Sequence, residues 1–424
     1  MGYEGVMDVS YPIRPVDDSE FLAFGAVMDQ AFNSTWPLEE IIRLERLVIE
    51  AERTLAAFDQ DRVAGTTLAY SFGMTVPGGD VVPTAGISGV SVLPTHRRRG
   101  ILTALVHRQL ADIAAGGEPL AALFASESAI YGRYGYGAAV EQYSFTVHRG
   151  EGSLQPLPGA DAAWPTLRLA DPKDAVTELK AVYEAVRPTR PGMLTRSDGF
   201  WELHLSDPEF MREGSSPMRC VVAEDESGAR GYAMYSAKPD WGSDGMPAGS
   251  LALRELFWTD PVACAALWSD LLSRDLVSQV RARLRPADDP LRHMLVDSRR
   301  TRAHVTDGLW VRLIDLPAAL ARRTYAGEID IVLEVTDEVL PANHGRWRLT
   351  AGGQRDDVKA ACERTAAEPD VALPVSALGA AYLGGCRLGG LAAAGQITEL
   401  RPGAVAQLSA AMYSEPAPWS PVMF

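Results

Sequence analysis

Residues 90–102 read Val90-Ser91-Val92-Leu93-Pro94-Thr95-His96-Arg97-Arg98-Arg99-Gly100-Ile101-Leu102. An apolar edge (Val90, Val92) runs into a basic turn, and the turn runs into an amphipathic helix spanning Ile101 to Ala115. The inward face of that helix is Leu102, Leu105, Val106, Leu110 and Ile113. A strand, a basic glycine turn and a helix start suit a pyrophosphate. The first helical turn leaves N–H groups unpaired at the positive end of the dipole, and Gly100 lets backbone approach the ligand. Arginine adds charge and forked donors. An isolated R-R-R-G would serve equally well as a solvated turn. The strand before it and the helix after it favour the anion site.

Outward from this loop, helix and strand signals alternate. Asp17 to Phe32 predicts a helix with Leu22, Val27 and Met28 inside, and Pro37 to Glu50 a second with Pro37 early. A hairpin follows, from Thr54 to Phe58 and from Val63 to Met74, and then a strand from Ala85 to Val92. Beyond the loop, Leu120 to Phe124 reads as a buried strand, Glu127 to Tyr134 as a short helix, and Val140 to Val147 as the strand closing the domain. Gly150 to Trp164 has linker composition. The plan then repeats. Cys220 to Ala223, the turn Asp225 to Gly228 and the strand Gly231 to Ser236 mirror the first hairpin. Leu251 to Trp258 and Pro261 to Leu272 mirror the strand and helix around the loop. At the equivalent turn stands Trp258-Thr259-Asp260-Pro261, with a carboxylate and neither arginine nor glycine, so an anion site belongs to the first repeat alone. From about Leu316 the texture becomes α+β. Ile329 to Val335 and Gly345 to Leu349 alternate like strands, and Asp357 to Glu368, Val375 to Leu383 and Ala404 to Ala411 are helical candidates. The Gly384 to Gly395 stretch suits either tight packing or a cavity lining. The division expected is 1–155, 156–315 and 316–424.

The 424 residues exceed what one hydrophobic core organises. No apolar run is long enough to span a bilayer, which speaks against membrane insertion, and no secretory pattern is read at Met1 to Arg14. The formal charge of −15 excludes nucleic acid as the expected partner and suits a cationic small-molecule amine. Cys220, Cys264, Cys362 and Cys386 have no metal-ligand spacing, so no metal is expected; free thiols and a cytoplasmic location fit best.

With Arg97-x-x-Gly100 in place, the chain resembles the GNAT superfamily of N-acetyltransferases, whose pyrophosphate motif is Q/R-x-x-G-x-G/A. Leu102 departs from the final Gly/Ala. The V-x-V, P-T-H-R-R-R-G and following leucine resemble more closely the enhanced intracellular survival (Eis) family. The resemblance implies tandem GNAT folds, α/β, followed by an α+β domain like sterol carrier protein, with acetyl-CoA as co-substrate and a homohexamer. It also implies a cofactor strand at Val90, Ser91 and Val92, with Val90 and Val92 offering backbone hydrogen bonds. A pyrophosphate cradle is implied from Arg97, Arg98 and Arg99 through Gly100, Ile101 and Leu102 to Thr103, with contacts from Ser126 and Glu127.

Acetyl transfer to an amine needs a neutral amine, a stabilised oxyanion and protonation of the leaving thiolate. The segment Ser126-Glu127-Ser128-Ala129-Ile130-Tyr131-Gly132-Arg133-Tyr134-Gly135-Tyr136 offers three tyrosines for the last task, and the residues alone leave them open. The resemblance puts the general acid at Tyr131. No side-chain base stands out. His96 reads as structural, and Glu127 doubles as a charge favoured by a helix N-terminus. The family's base is the α-carboxylate of a terminal aromatic residue, which falls here on Phe424. Phe32 and Trp36 are candidates for the substrate cleft or the core, and Asn33-Ser34-Thr35 supplies no carboxylate where some relatives have one. The alternative expectation is a non-catalytic effector or lipid-binding protein with a vestigial acetyltransferase fold.

Overall fold

The computed structural model describes residues 11–158, 164–352 and 360–424. The chain begins with β1 (Ile13–Arg14), α1 (Phe21–Phe32), α2 (Leu38–Glu45), β2 (Thr54–Asp59), β3 (Arg62–Thr75), β4 (Val81–Val92), α3 (Ile101–Gly116), β5 (Leu120–Phe124), α4 (Ser128–Tyr131) and β6 (Gly137–Ala138). Next come β7 (Glu141–His148), β8 (Thr166–Ala170), α5 (Val176–Val186), α6 (Asp198–His204), β9 (Arg219–Asp225), β10 (Gly228–Lys238), β11 (Ser250–Trp258), α7 (Pro261–Ser273), β12 (Gln279–Arg285), α8 (Leu291–Met294), β13 (His304–Asp307), β14 (Leu309–Leu313) and α9 (Leu316–Ala321). The last part holds β15 (Glu328–Thr336), β16 (Gly345–Gly352), β17 (Ala361–Arg364), β18 (Val371–Pro374), α10 (Val375–Ala381), α11 (Leu388–Ala393), β19 (Thr398–Glu399) and α12 (Ala404–Met412).

Three sheets result. The first runs β1-β2-β3-β4-β5-β14-β6, the second β8-β9-β10-β11-β12-β7-β13, and the third β17-β16-β15-β18-β19. The first two have the same plan, as the repeat predicts, but they exchange a strand. The stretch expected to close the first domain, Val140 to Val147, instead pairs with β12 and β13 of the second sheet. In return β14 enters the first sheet between β5 and β6. The crossing is sealed by backbone bonds: Gly308 N–H donates to the Val140 carbonyl at 2.8 Å, and Ala139 N–H to that of Leu309 at 2.9 Å. Both exchanged strands bury apolar side chains, Phe145 and Val147 on β7 and Leu309, Val311 and Leu313 on β14, so hydrogen-bond pairing rather than composition decides the sheet.

Other expectations need smaller corrections. α1 is rotated so that Phe21, Phe24 and Val27 are buried while Leu22 is exposed. α2 stops at Glu45, and tight turns carry the chain through Val48. Only Ser128–Tyr131 is α-helical in the Glu127 to Tyr134 stretch. The helix expected over Asp357 to Glu368 is a strand at Ala361–Arg364, paired with β16; residues 357–359 lie outside the described residues, as do residues 159–163 of the expected linker. The cysteines are free thiols, three of them buried. Gly384 and Gly385 belong to close packing: added Cβ atoms would meet Ser414 Cβ at 2.4 Å and Pro418 Cγ at 2.7 Å.

One core spans the first sheet, α1, α2 and the third sheet, while a separate cluster lies between the first sheet and α3. Residues 192–195 bond to the free edge of β3, through Thr75 N–H to the Met193 carbonyl and Gly192 N–H to that of Thr75, both 2.8 Å. No helix among the described residues is long and apolar enough to cross a membrane.

Candidate active site

β4 and β5 pair in parallel only from Thr84↔Leu120 to Ile87↔Leu123. Beyond Ile87 they part, because β4 carries a bulge where Thr66↔Ser91 gives way to Leu68↔Ser88. Gly89 takes φ +60° there. Thr66 pins the bulge, its hydroxyl donating to the Gly89 carbonyl at 2.7 Å and lying 2.6 Å from the Ser91 hydroxyl. The Ser91 side chain is therefore committed inside the sheet, while Val90 and Val92 are half-buried beside the gap.

At the end of β4 the chain turns through Arg97 to Gly100. Arg98 and Gly100 have φ of +62° and +82°, and α3 begins at Ile101 with no side chain capping it. The first-turn N–H groups of α3 thus keep no partner of their own helix. Arg97, Arg98, Gly100 and Thr103 are exposed; Ile101 is buried, so only its backbone faces outward. Arg99 bonds the Tyr11 hydroxyl at 3.2 Å, whereas Arg97 and Arg98 make no ion pair among the described residues. His96 pairs with Asp59 at 3.1 Å, the structural role its position suggests.

The corresponding place in the second sheet is closed. β11 and β12 part after Leu253↔Ala282. At the start of α7, however, Asp260 accepts from the Val262 and Ala263 N–H groups and pairs with Arg230. Arg285 reaches across the gap to the Leu256 carbonyl at 3.3 Å. An anionic ligand finds bare N–H groups on α3 and a carboxylate on α7.

Two other predicted residues flank the open gap from opposite faces of the sheet. Tyr131 packs with Ala85, Ile87 and Leu123 on the α3 side. Phe424 packs on the other side, with ring centroids 5.0 Å from Phe72, 5.5 Å from Phe124 and 6.3 Å from Tyr70. The Phe424 carboxylate and the Tyr131 hydroxyl make no hydrogen bond among the described residues. Tyr134, by contrast, has its hydroxyl 3.1 Å from that of Thr103, and Tyr136 is fully buried. Burial, with Tyr134 and Glu127 nearby, pushes the Tyr131 phenol up to about 12. Ser126 and Glu127 are exposed on the turn between β5 and α4.

Sequence reasoning missed two residues. A cavity of ≈180 Å³ opens between α1 and α2, lined by Met28, Asp29, Phe32, Trp36 and Glu45 among others. Neither Asp29 nor Glu45 has a hydrogen-bond or ion-pair partner for its carboxylate among the described residues. Burial alone pushes the Glu45 carboxyl up to about 7, and Glu45 in turn adds to the raising of the buried Tyr70 phenol. Phe32 and Trp36 are 51% and 40% exposed, so both belong to the cleft rather than to the core. The signal available in the sequence was their spacing on two adjacent helices. A larger groove, ≈590 Å³ and lined from α2, α5 and α6, touches none of the predicted residues.

Comparison with known proteins agrees with this architecture. Residues 12–139 and 192–313 each match an acetyltransferase (GNAT) domain, and residues 316–421 match a sterol carrier protein domain. The chain is 46% identical over 392 residues to an uncharacterized N-acetyltransferase of Streptomyces avermitilis, covering 92% of this chain and 94% of that one. It is 36% identical over 361 residues to N-acetyltransferase Eis of Mycobacterium tuberculosis, covering 83% and 84%. Among solved structures, Eis1 from Mycobacterium abscessus superposes with a TM-score of 0.80 at 33% identity, over 97% of this chain and 100% of that one.

Proposed function

Because this chain belongs to the Eis family of GNAT N-acetyltransferases, we propose that it transfers acetyl from acetyl-CoA to a cationic small-molecule amine at the gap between β4 and β5. GNAT acetyltransferases use acetyl-CoA, whose thioester supplies the acetyl group. The observation that carries the reading is the contrast between the two repeats: uncapped N–H groups at Gly100, a capping carboxylate at Asp260. Arg97, Arg98 and Arg99 with Gly100, Ile101, Leu102 and Thr103 hold the pyrophosphate, the isoleucine and leucine through their backbone. Val90, Ser91 and Val92 offer strand edge to the pantetheine arm, and Ser126 and Glu127 close it from the far side.

The substrate's ammonium is held between Asp29 and Glu45 and against the Phe32 and Trp36 rings, where charge and π faces favour a cation. Polyamines, aminoglycosides and lysine-type amines share this chemistry. The Phe424 carboxylate takes the proton that the attacking nitrogen must lose. Tyr131 stays protonated throughout the neutral range. Proton transfer from a phenol near 12 to a thiolate of ordinary basicity, about 8.5, is uphill, so Tyr131 acts as a hydrogen-bond donor while charge develops on sulfur, and the freed thiolate takes its proton from solvent.

In this proposal the catalytic unit is residues 1–155, with β7 given up to the second sheet and β14 received in return, the rest of residues 156–315 is scaffold, and residues 316–424 supply the terminus. A homohexamer in the cytoplasm completes it, checked by mass in solution and by fractionation. The central test is thiol release from acetyl-CoA across a panel of mono- and polycationic amines. No release with any amine by the wild-type chain overturns the activity; release independent of substrate charge overturns the cation site.

A further inference from the structure

The gap between β11 and β12 is filled by a residue from the far end of the chain. Trp419 is 1% exposed, and its indole N–H donates to the Leu284 carbonyl on β12 at 2.5 Å. Its ring lies 5.0 Å from Phe257 on β11, and the Arg285 guanidinium stands 5.1 Å from its centroid. The backbone on either side is also tied down. Trp419 N–H donates to the Pro191 carbonyl at 2.8 Å, and Ala417 N–H to Asp288 at 3.0 Å. The same opening that the first repeat keeps free is thus occupied in the second by the chain's own indole.

We propose that the second repeat has become a socket for Trp419, and that this socket fixes where the Phe424 carboxylate sits. Trp419 is then a positioning residue; the inference rests on the reading of that carboxylate as the base. Four residues lie between the two, five chain steps with a reach of at most about 18 Å. A chain end is ordinarily frayed, and a reacting group displaced by about 1 Å loses on the order of a hundredfold in rate. An anchor this close to the terminus removes most of that freedom. It also accounts for a duplicate that has lost its anion loop yet keeps its parted strands.

The test compares W419A, W419F, D288A and a chain lacking Phe424. Asp288 lies at the surface, so D288A loosens the tail without opening a core. Expected for W419A are an unchanged acetyl-CoA affinity, a kcat at least tenfold lower with KM for the amine little changed, and faster trimming of the terminus by carboxypeptidase. W419F should recover most of kcat, and D288A should shift both readouts more weakly in the same direction. Removing Phe424 should lower kcat, and adding W419A to that deletion should lower it little further. Trimming as slow in W419A and D288A as in the wild type overturns the socket. Faster trimming with kcat intact, where deletion of Phe424 does lower kcat, overturns positioning. If neither the deletion nor W419A changes kcat, the carboxylate reading fails first and the inference with it.

Discussion

The rings of Phe424 and Phe72 lie 5.0 Å apart at 56°, and Gly86 is what lets them meet. A Cβ at that position would stand 2.4 Å from the Phe72 ring and 3.0 Å from that of Phe424. The last residue of the chain is thereby seated on β3 and β4, at the mouth of the parted strands. Deleting Phe424, or extending the chain past it, should lower turnover on the order of a hundredfold while acetyl-CoA binding survives. Steady-state kinetics of a C-terminally extended enzyme against an N-terminally extended one checks this; equal rates rule the carboxylate out.

Tyr131 and Tyr134 separate by their hydroxyl partners. Tyr131→Phe should leave cofactor affinity nearly intact and reduce kcat about a hundredfold or more, the scale of a lost hydrogen-bond donor to developing charge. Tyr134→Phe removes only the contact with Thr103 and should cost much less. A reversed order of the two variants shows that the wrong phenol was chosen.

Calorimetry of the wild-type chain should find one acetyl-CoA site per chain. Arg98→Glu sets a carboxylate against the pyrophosphate and removes a charge-assisted contact, weakening binding by about 1.5–3 kcal/mol or more. Two sites per chain would mean that Asp260 and Trp419 do not close the second repeat.

Glu45 gives a pH dependence with a definite sign. Its carboxyl is raised from an ordinary value near 4.5 to about 7, so the folded protein holds this proton more tightly than the unfolded chain does. The stability it contributes is complete below about 4.5 and is lost as pH rises through about 7, at most about 3 kcal/mol. Glu45→Gln should therefore flatten the thermal stability profile between pH 5 and 8 and stabilise the protein at pH 8. The same change should raise KM for polycationic amines. An unchanged stability profile contradicts the raised carboxyl; an unchanged KM places the cation elsewhere.

The strand exchange predicts that the first repeat does not fold alone. A fragment of residues 1–149 leaves β5 and β6 without β14 between them and β7 without a sheet. Exposed edges of this kind favour association over a monomeric fold. The fragment should aggregate or show no cooperative melt, whereas the full chain should melt cooperatively. A soluble, cooperative 1–149 fragment contradicts this.

What could be read from residues alone was whatever chemistry is local in the chain. The strand, basic turn and helix from Val90 to Leu102 are contiguous, so their geometry follows from neighbouring residues. Gly100 against Asp260 separates an open helix start from a capped one by the same logic, because capping acts within three residues. The partner of β7, the owner of β14 and the seat of Trp419 were decided only in three dimensions. Each depends on a hydrogen bond between residues more than a hundred positions apart, and an alternating strand pattern says which face is buried but not which neighbour is paired. Glu45 is the same lesson in electrostatics. In the sequence it is an ordinary charge on a helix, and only the packing of α2 strips away its water and raises its carboxyl.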